Sequence, residues 1–376
     1  MSSPKPERPL RILVINWQDI RNPLGGGAEV HLHEIFRRVA ACGHEVTLLC
    51  SAFAAAPAEE YVDGIRTIRR GRRHTFNFIV PMAYRRLRRQ QPFDIVIDDL
   101  NKIPFYTPWF VREPLLTIVH HLFGRSIYLE ASFLPASYVY LSERLVPLVY
   151  RRTPFAAVSA STRDELLQKG IQSAVALLPN GVDLTQYQAD PAQKSEKPLI
   201  GYLGRLKRYK SVDHLLRAFA LVQKEIAEAQ LLIIGDGDYA ANLHKLVREL
   251  NLQDAVRFTG QVSHEEKVRQ LNASWVVVNP SPKEGWGLTV IEANACAIPV
   301  IAADSPGLRD SVRDGQTGWF YPYGNIERLA EWLVTMLRQP QTRETMGAAA
   351  RQWAAGFSWD ASAQQALKII KQTIDN

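Results

Sequence analysis

The stretch SPKEGWGLTVIEANACAIPVIA, Ser281–Ala302, sets a charged pair, Lys283 and Glu284, and two glycines where a helix should begin. A second carboxylate, Glu292, follows eight residues after the first. The apolar run WVVVNP (275–280) comes before it and PVIAA (299–303) closes it, so the segment reads as strand, loop, helix, strand. Gly285 and Gly287 let the loop turn tightly, the helix starts near Gly287 or Leu288, and Glu292 falls on its first or second turn. Both acids and the free amides of the first turn can then face one pocket. Amides at a helix N-terminus suit phosphate, and a carboxylate accepts paired hydrogen bonds from neighbouring hydroxyls on a sugar or ribose ring. The bland alternative is a capping Glu284 and a surface Glu292.

The same alternation of short apolar runs and amphipathic stretches extends in both directions. In the first half RILVIN (11–16), EVTLLC (45–50), DIVID (94–98), LLTIVH (115–120) and AAVS (156–159) read as strands, with helices over about 27–42 and 76–90. The pattern restarts after Asp190 with PLIGYLG (198–204), LLIIG (231–235) and AVRFTG (255–260), and helices over 212–228 and 239–251. Repeated βαβ units mean parallel sheets covered on both faces, and 376 residues are too many for one ordinary core. The expected fold is α/β: two Rossmann-like, doubly wound domains, 1–185 and 196–357, facing a cleft. Asp183–Pro198 is read as the linker, because it is polar, aperiodic and contains two prolines. The last segment, 358–376, has a helical apolar period, with Asp360 placed to help cap it. Order is expected from about residue 11 onward.

Three cysteines without metal-like spacing fit a reducing cytoplasm, and no run is apolar and long enough to span a membrane. The formal net charge is +7. Residues 1–185 hold 23 Lys/Arg against 17 Asp/Glu, and the remainder 22 against 21, so the excess sits in the first half. There Arg66–Arg89 packs nine arginines and no acid. Mixed with Phe76, Phe78, Ile79, Val80 and Met82, it suits an anionic membrane surface, although a solvated arginine face with aromatics in the core fits as well. The aromatics of 101–110 and 132–152 could extend the apolar face.

Other strand ends carry candidate binding groups. PLGGGAEVHLHE places Gly25, Gly26 and Gly27 directly before a helix, a phosphate-binding design or simply a flexible loop. It lacks the last glycine of the dinucleotide fingerprint, which disfavours a nicotinamide enzyme. LLTIVHHLFG delivers His120 and His121 to one sheet edge, as structural hydrogen bonders or as site residues. GYLGRLKRYK sets Arg205 after a strand and Lys210 before a helix, where a guanidinium and an ammonium can neutralise a diphosphate without a metal. The alternative there is a solvated basic loop, the role given to Lys207 and Arg208.

Together these residues resemble the retaining GT-B glycosyltransferases of family 4, over nearly the whole chain. KEGWGLTVIEA looks like that family's E-x7-E signature, and GGGAE (25–29), His120, PNGVD (179–183), GRLKRYK (204–210), IIGDGDY (233–239) and GQTGWF (315–320) match in order. His121, where Asp is common, and Asp310, where Glu is common, depart from the pattern.

The resemblance implies that the last helix crosses back onto the first domain and that a nucleotide sugar lies mainly against the second. Its base would sit near Gly235, Asp236 and Gly237 and its ribose on Glu292. The diphosphate would be held by Arg205, Lys210 and the amides of Gly285, Gly287, Leu288 and Thr289, with Gly26 and Gly27 approaching from the first domain. Glu284 would bind sugar hydroxyls and His120 would stand beside the anomeric carbon. No metal or other cofactor is implied. The acceptor would be a glycan or lipid-linked hydroxyl, the donor a UDP-sugar in preference to a GDP-sugar, and the enzyme cytoplasmic, peripheral on the inner face of the membrane. An epimerase or hydrolase of the same architecture, or a sugar-nucleotide binding protein, remain alternatives. Nucleic acid is disfavoured, since no recognition motif accompanies the arginines.

Overall fold

The computed structural model describes residues 8–101 and 103–376, without the Leu129 side chain. Most of the opening MSSPKPERPL, and Lys102 within the aromatic segment 101–110, therefore lie outside the described residues. The chain forms two compact units. The first comprises the chain up to Ile127, Ser132–Gly181 and Trp359–Asn376, and the second Tyr128–Ala131 and Val182–Ser358.

The first unit is built on strands β1 (Arg11–Ile15), β2 (Glu45–Ala52), β3 (Glu59–Val62), β4 (Ile65–Arg72), β5 (Ile95–Leu100), β6 (Leu115–Val119), β7 (Phe155–Ala157) and β8 (Val175–Leu177). Their order across the sheet is β3-β4-β2-β1-β5-β6-β7-β8. All neighbours pair in parallel except the β3–β4 hairpin. The central strands read as continuous apolar runs because helices cover both faces. The helix Gly27–Ala41 buries Leu32, Ile35, Phe36 and Val39 at helical spacing. The last helix, Trp359–Asp375, packs on it and buries Ala363, Ala366 and Ile370. Asp360 engages Arg38 at 2.5 Å, across to the neighbouring helix.

The second unit contains β9 (Leu199–Leu203), β10 (Gln230–Ile234), β11 (Val256–Gly260), β12 (Val276–Asn279), β13 (Val300–Ala303) and β14 (Gly318–Tyr321), ordered β11-β10-β9-β12-β13-β14. All are parallel. Each unit is thus a doubly wound α/β sheet, as the alternating pattern predicts. Strand order reverses between β1 and β5 in the first and between β9 and β12 in the second, and loops leaving such strands flank a crevice.

Two segments differ from the reading of the sequence. The arginine run Arg66–Arg89 is divided between β4 and the helix Phe76–Gln90. Within it Arg69 is fully buried, 2.7 Å from Asp19 and 2.6 Å from Glu60, so it belongs to the interior rather than to a basic surface. The segment 183–198 is not a free tether. Asn272 receives the Asp190 amide and donates to the Gln188 carbonyl, and Trp275 Nε1 donates to the Ser195 carbonyl.

Strand β5 itself carries a wholly buried carboxylate. Asp98 Oδ2 accepts from Thr107 Oγ1 at 2.5 Å and from the Tyr150 hydroxyl at 2.7 Å, while Oδ1 has no partner among the described residues. Burial raises its pKa to about 6; the two hydroxyls pull it back in part, and neighbouring Asp99 adds to the rise. A carboxyl whose folded pKa lies above its unfolded value destabilises the fold once ionised, so its contribution is lost as pH rises from about 4 through 6, on the order of 3 kcal/mol in all. Asp98→Asn should therefore gain in urea midpoint over the wild type between pH 4.5 and pH 7.5; an offset independent of pH would contradict this.

Candidate active site

In the second unit the two loops that leave β9 and β12 lie on either side of the strand-order reversal, and each contributes one member of an ion pair. The Lys210 ammonium, from the first, donates to Glu284 Oε1, from the second, and both side chains are largely buried. Burial opposes the charge on Lys210; Glu284 and Tyr209 more than offset it, so its pKa stands above the ordinary lysine value. Arg205, on the same loop, is exposed. Lys207 pairs with Asp238 at 2.5 Å, on the rim.

The helix Leu288–Ala295 begins next to this ion pair. Its N-cap, Gly287, has φ +93°, and a Cβ there would lie 2.6 Å from Ser311 Oγ, so only glycine allows the turn without strain. The first-turn amides of Leu288 and Thr289 are orphan donors by helix geometry. Pro306 O accepts the Glu284 amide at 3.3 Å and fixes the loop.

Glu292 faces a different cation. Its Oε1 accepts from the Tyr187 hydroxyl and from Lys267 Nζ, the latter at 2.9 Å. Tyr187 comes from the segment read as linker, and Lys267 from the helix His264–Ala273. Sequence reasoning missed both. Nothing distinguished Tyr187 in a polar aperiodic stretch, and Lys267 in HEEKVRQ looks like one charge of a solvated helix face.

Gly235 and Gly237 have a backbone reason to be glycine. A Cβ on Gly235 would stand 2.1 Å from Gly204 O, and one on Gly237 2.2 Å from Leu206 O. The loops after β9 and β10 therefore nest, joined by Leu206 N–H to Asp236 O at 2.9 Å. Asp236 turns its carboxylate onto the Gly237 amide at 2.7 Å.

The first unit carries its own cluster at the ends of β5 and β6. His120 Nε2 stands 2.8 Å from Asp99 Oδ1, and the His31 ring meets His120 edge-on at 5.0 Å. Asp99 is completely buried. Burial first, and His120 second, push the pKa of His31 well below the ordinary histidine value. Asp99 was legible as the second of two acids ending a buried strand, yet DIVIDDL reads first as a strand. The glycine loop offers fewer amides than its three glycines suggest. The Gly25 amide is taken by Asn22 O at 2.8 Å and the Gly26 amide by Glu29 Oε2 at 2.7 Å. A Cβ on Gly27 would meet nothing within 4 Å, so the fold itself does not require glycine there.

Comparisons with known proteins bear on family and fold. The family described as Glycosyl transferases group 1 matches residues 184–353, and Glycosyltransferase Family 4 matches residues 25–186. D-inositol 3-phosphate glycosyltransferase of Kineococcus radiotolerans is 32% identical over 54% of this chain and 52% of its own length. The GDP-mannose-dependent alpha-(1-6)-phosphatidylinositol monomannoside mannosyltransferase of Mycobacterium tuberculosis is 29% identical over 57% of this chain and 60% of its own. The aligned regions thus span only about half to three fifths of these relatives' length. Sucrose-phosphate synthase from Thermosynechococcus elongatus superposes with a TM-score of 0.82 over 96% of this chain and 98% of its own, at 23% identity.

A buried ion pair couples its two members energetically. In a double-mutant cycle, Lys210→Met and Glu284→Gln should each destabilise the protein, and the double variant should lose less than their sum by about 1–3 kcal/mol. Additive losses in urea unfolding would mean that the two charges do not depend on each other.

Proposed function

Because the chain belongs to the group 1, family 4 glycosyltransferases of GT-B fold, we propose that it moves a sugar from a nucleoside-diphosphate sugar to an acceptor hydroxyl with retention of configuration. The observation that carries this reading is the Lys210–Glu284 pair beside the first-turn amides of Leu288 and Thr289, at the strand-order reversal of the second sheet.

The mechanism follows from charge. Cleavage of the bond between the anomeric carbon and the phosphate oxygen places negative charge on the departing diphosphate and positive charge on the sugar. Cations and amides already fixed where that charge develops lower the barrier. Arg205, Lys210 and the amides after Glu284 fill this part without a metal ion. An incoming phosphate oxygen competes with Glu284 for Lys210 and frees a carboxylate oxygen for sugar hydroxyls. Attack by the acceptor hydroxyl on the leaving group's face, with its proton passing to a diphosphate oxygen, gives retention. His120, held by Asp99, is assigned to the anomeric region. The relative from M. tuberculosis is described as GDP-mannose-dependent, which makes a GDP-sugar as natural a donor as a UDP-sugar.

For the acceptor we propose a lipid-linked or cell-surface glycan, reached by peripheral docking of a cytoplasmic enzyme on an anionic membrane. Support comes from one face of the first unit. The helix Phe76–Gln90 exposes Phe78 and Met82 together with Arg85, Arg86 and Arg89. Asn77 reaches the Tyr138 hydroxyl at 3.2 Å, and the helix Phe133–Arg144 exposes Phe133, Leu134 and Leu141. Among the described residues no helix is long and apolar enough to cross a membrane.

Incubation with UDP- and GDP-sugars should release nucleoside diphosphate only when a polyprenyl- or phosphatidylinositol-linked glycan is present, undiminished by EDTA, and NMR should find the donor's anomeric configuration in the product. Lys210→Ala should cost about 10²–10³ in rate. Release without acceptor would point to a hydrolase, donor isomerisation to an epimerase, and binding without turnover to a non-catalytic protein. Vesicles containing phosphatidylglycerol should float with the protein at low salt and lose it on Phe78→Ser with Leu134→Ser; absence of wild-type binding would remove the membrane from this reading.

A further inference from the structure

Glu292 is held asymmetrically. Both donors that reach it, the Tyr187 hydroxyl and Lys267 Nζ, converge on Oε1, whereas Oε2 accepts no hydrogen bond among the described residues. Lys267 also donates to the Tyr187 oxygen at 2.5 Å, so phenol, ammonium and carboxylate form a closed triangle. The triangle is braced from behind: His264 packs edge-on against the Tyr187 ring at 4.9 Å, and Arg351 reaches the Tyr187 carbonyl at 3.5 Å. Tyr187 is nearly buried, and the Glu292 side chain keeps only 11% exposure.

A purely structural ion pair would gain from using both carboxylate oxygens, since each can accept two hydrogen bonds. Here one oxygen is saturated and the other spared. Lys267 sets a positive charge beside the carboxylate, and two donors on Oε1 fix the plane in which Oε2 points. A fixed carboxylate oxygen is suited to a vicinal diol, whose hydroxyl groups are donors of fixed spacing.

We infer that Tyr187 and Lys267 are positioning residues that pin Glu292 Oε1 so that Oε2 reads the ribose diol of the donor nucleotide. This rests on the reading of the second unit as a nucleotide-sugar site and adds to it the two residues that set the angle and charge of its ribose contact. Neither touches the reacting atoms. Loss of either should weaken recognition of the diol and leave the contribution of the diphosphate in place.

The test is calorimetric titration of the full chain with UDP and GDP and with their 2′,3′-dideoxy counterparts. The wild type should prefer the ribonucleotide about 10–100-fold, the worth of a hydrogen bond to a charged group. Lys267→Met and Tyr187→Phe should each bring that ratio toward 1 with little change in affinity for the dideoxy nucleotide, and Lys267→Arg should restore much of it. A change in packing alone would weaken both nucleotides equally, and that result would overturn the inference, as would an unchanged ratio in both variants. Should Lys267→Met fail to fold, Tyr187→Phe, which removes one hydroxyl, carries the same comparison. Wild-type protein that binds neither UDP nor GDP would instead overturn the nucleotide-sugar reading itself.

Discussion

An ammonium that leaves bulk water holds its charge best with a carboxylate within hydrogen-bonding reach, and the second unit supplies that to Lys210 with one contact, to Glu284. The two residues are 74 positions apart, and only the reversal of strand order between β9 and β12 makes their loops neighbours. What is proposed for the donor's diphosphate and sugar depends on this pair. It keeps Lys210 charged against the pull of burial, holds Glu284 at the start of the helix Leu288–Ala295, and sets a cation beside orphan amides. Such a site is organised before a ligand arrives, which is what transition-state stabilisation by fixed charges needs.

The same solution recurs at other acids. Glu292 is met by Lys267 and Tyr187, Asp99 by His120, and Asp19 by the buried guanidinium of Arg69. Each acid is oriented by a donor from a distant segment. The Arg69 contact also reaches the glycine loop indirectly, because Asp19 accepts the Arg21 amide at 2.8 Å and its carbonyl takes that of Asn22. Asp98 is the exception. With only neutral hydroxyls as partners, it is the carboxyl whose pKa is pushed to about 6.

The arginine run shows how far sequence pattern alone carries. Nine arginines without an acid in 24 residues read as one basic surface. Folding separates them: Arg69 is interior, Arg66 pairs with Glu59 at 2.6 Å, and Arg88 with Glu113 at 2.6 Å. Arg85, Arg86 and Arg89 stay exposed beside Phe78 and Met82. Local periodicity tells which residues share a helix face. It does not tell which acid, tens of residues away, will meet a given arginine.

By itself the sequence determined the alternation of strands and helices, hence two doubly wound sheets, and the strand ends and loops that carry Gly26, His120, Arg205, Lys210 and Glu284, with Glu292 on the helix that follows. Those features are local: apolar period, glycine placement and helix starts are written within a few residues of one another. Only the tertiary structure decided the partners. That Glu284 meets Lys210 while Glu292 meets Lys267 and a tyrosine from an apparent linker, that two glycines of the 235–237 loop serve close backbone packing, and that Arg69 is buried, all follow from which strands lie side by side. Strand order is a long-range property, set by burial of the sheet faces and the handedness of crossovers, and no short window of residues contains it.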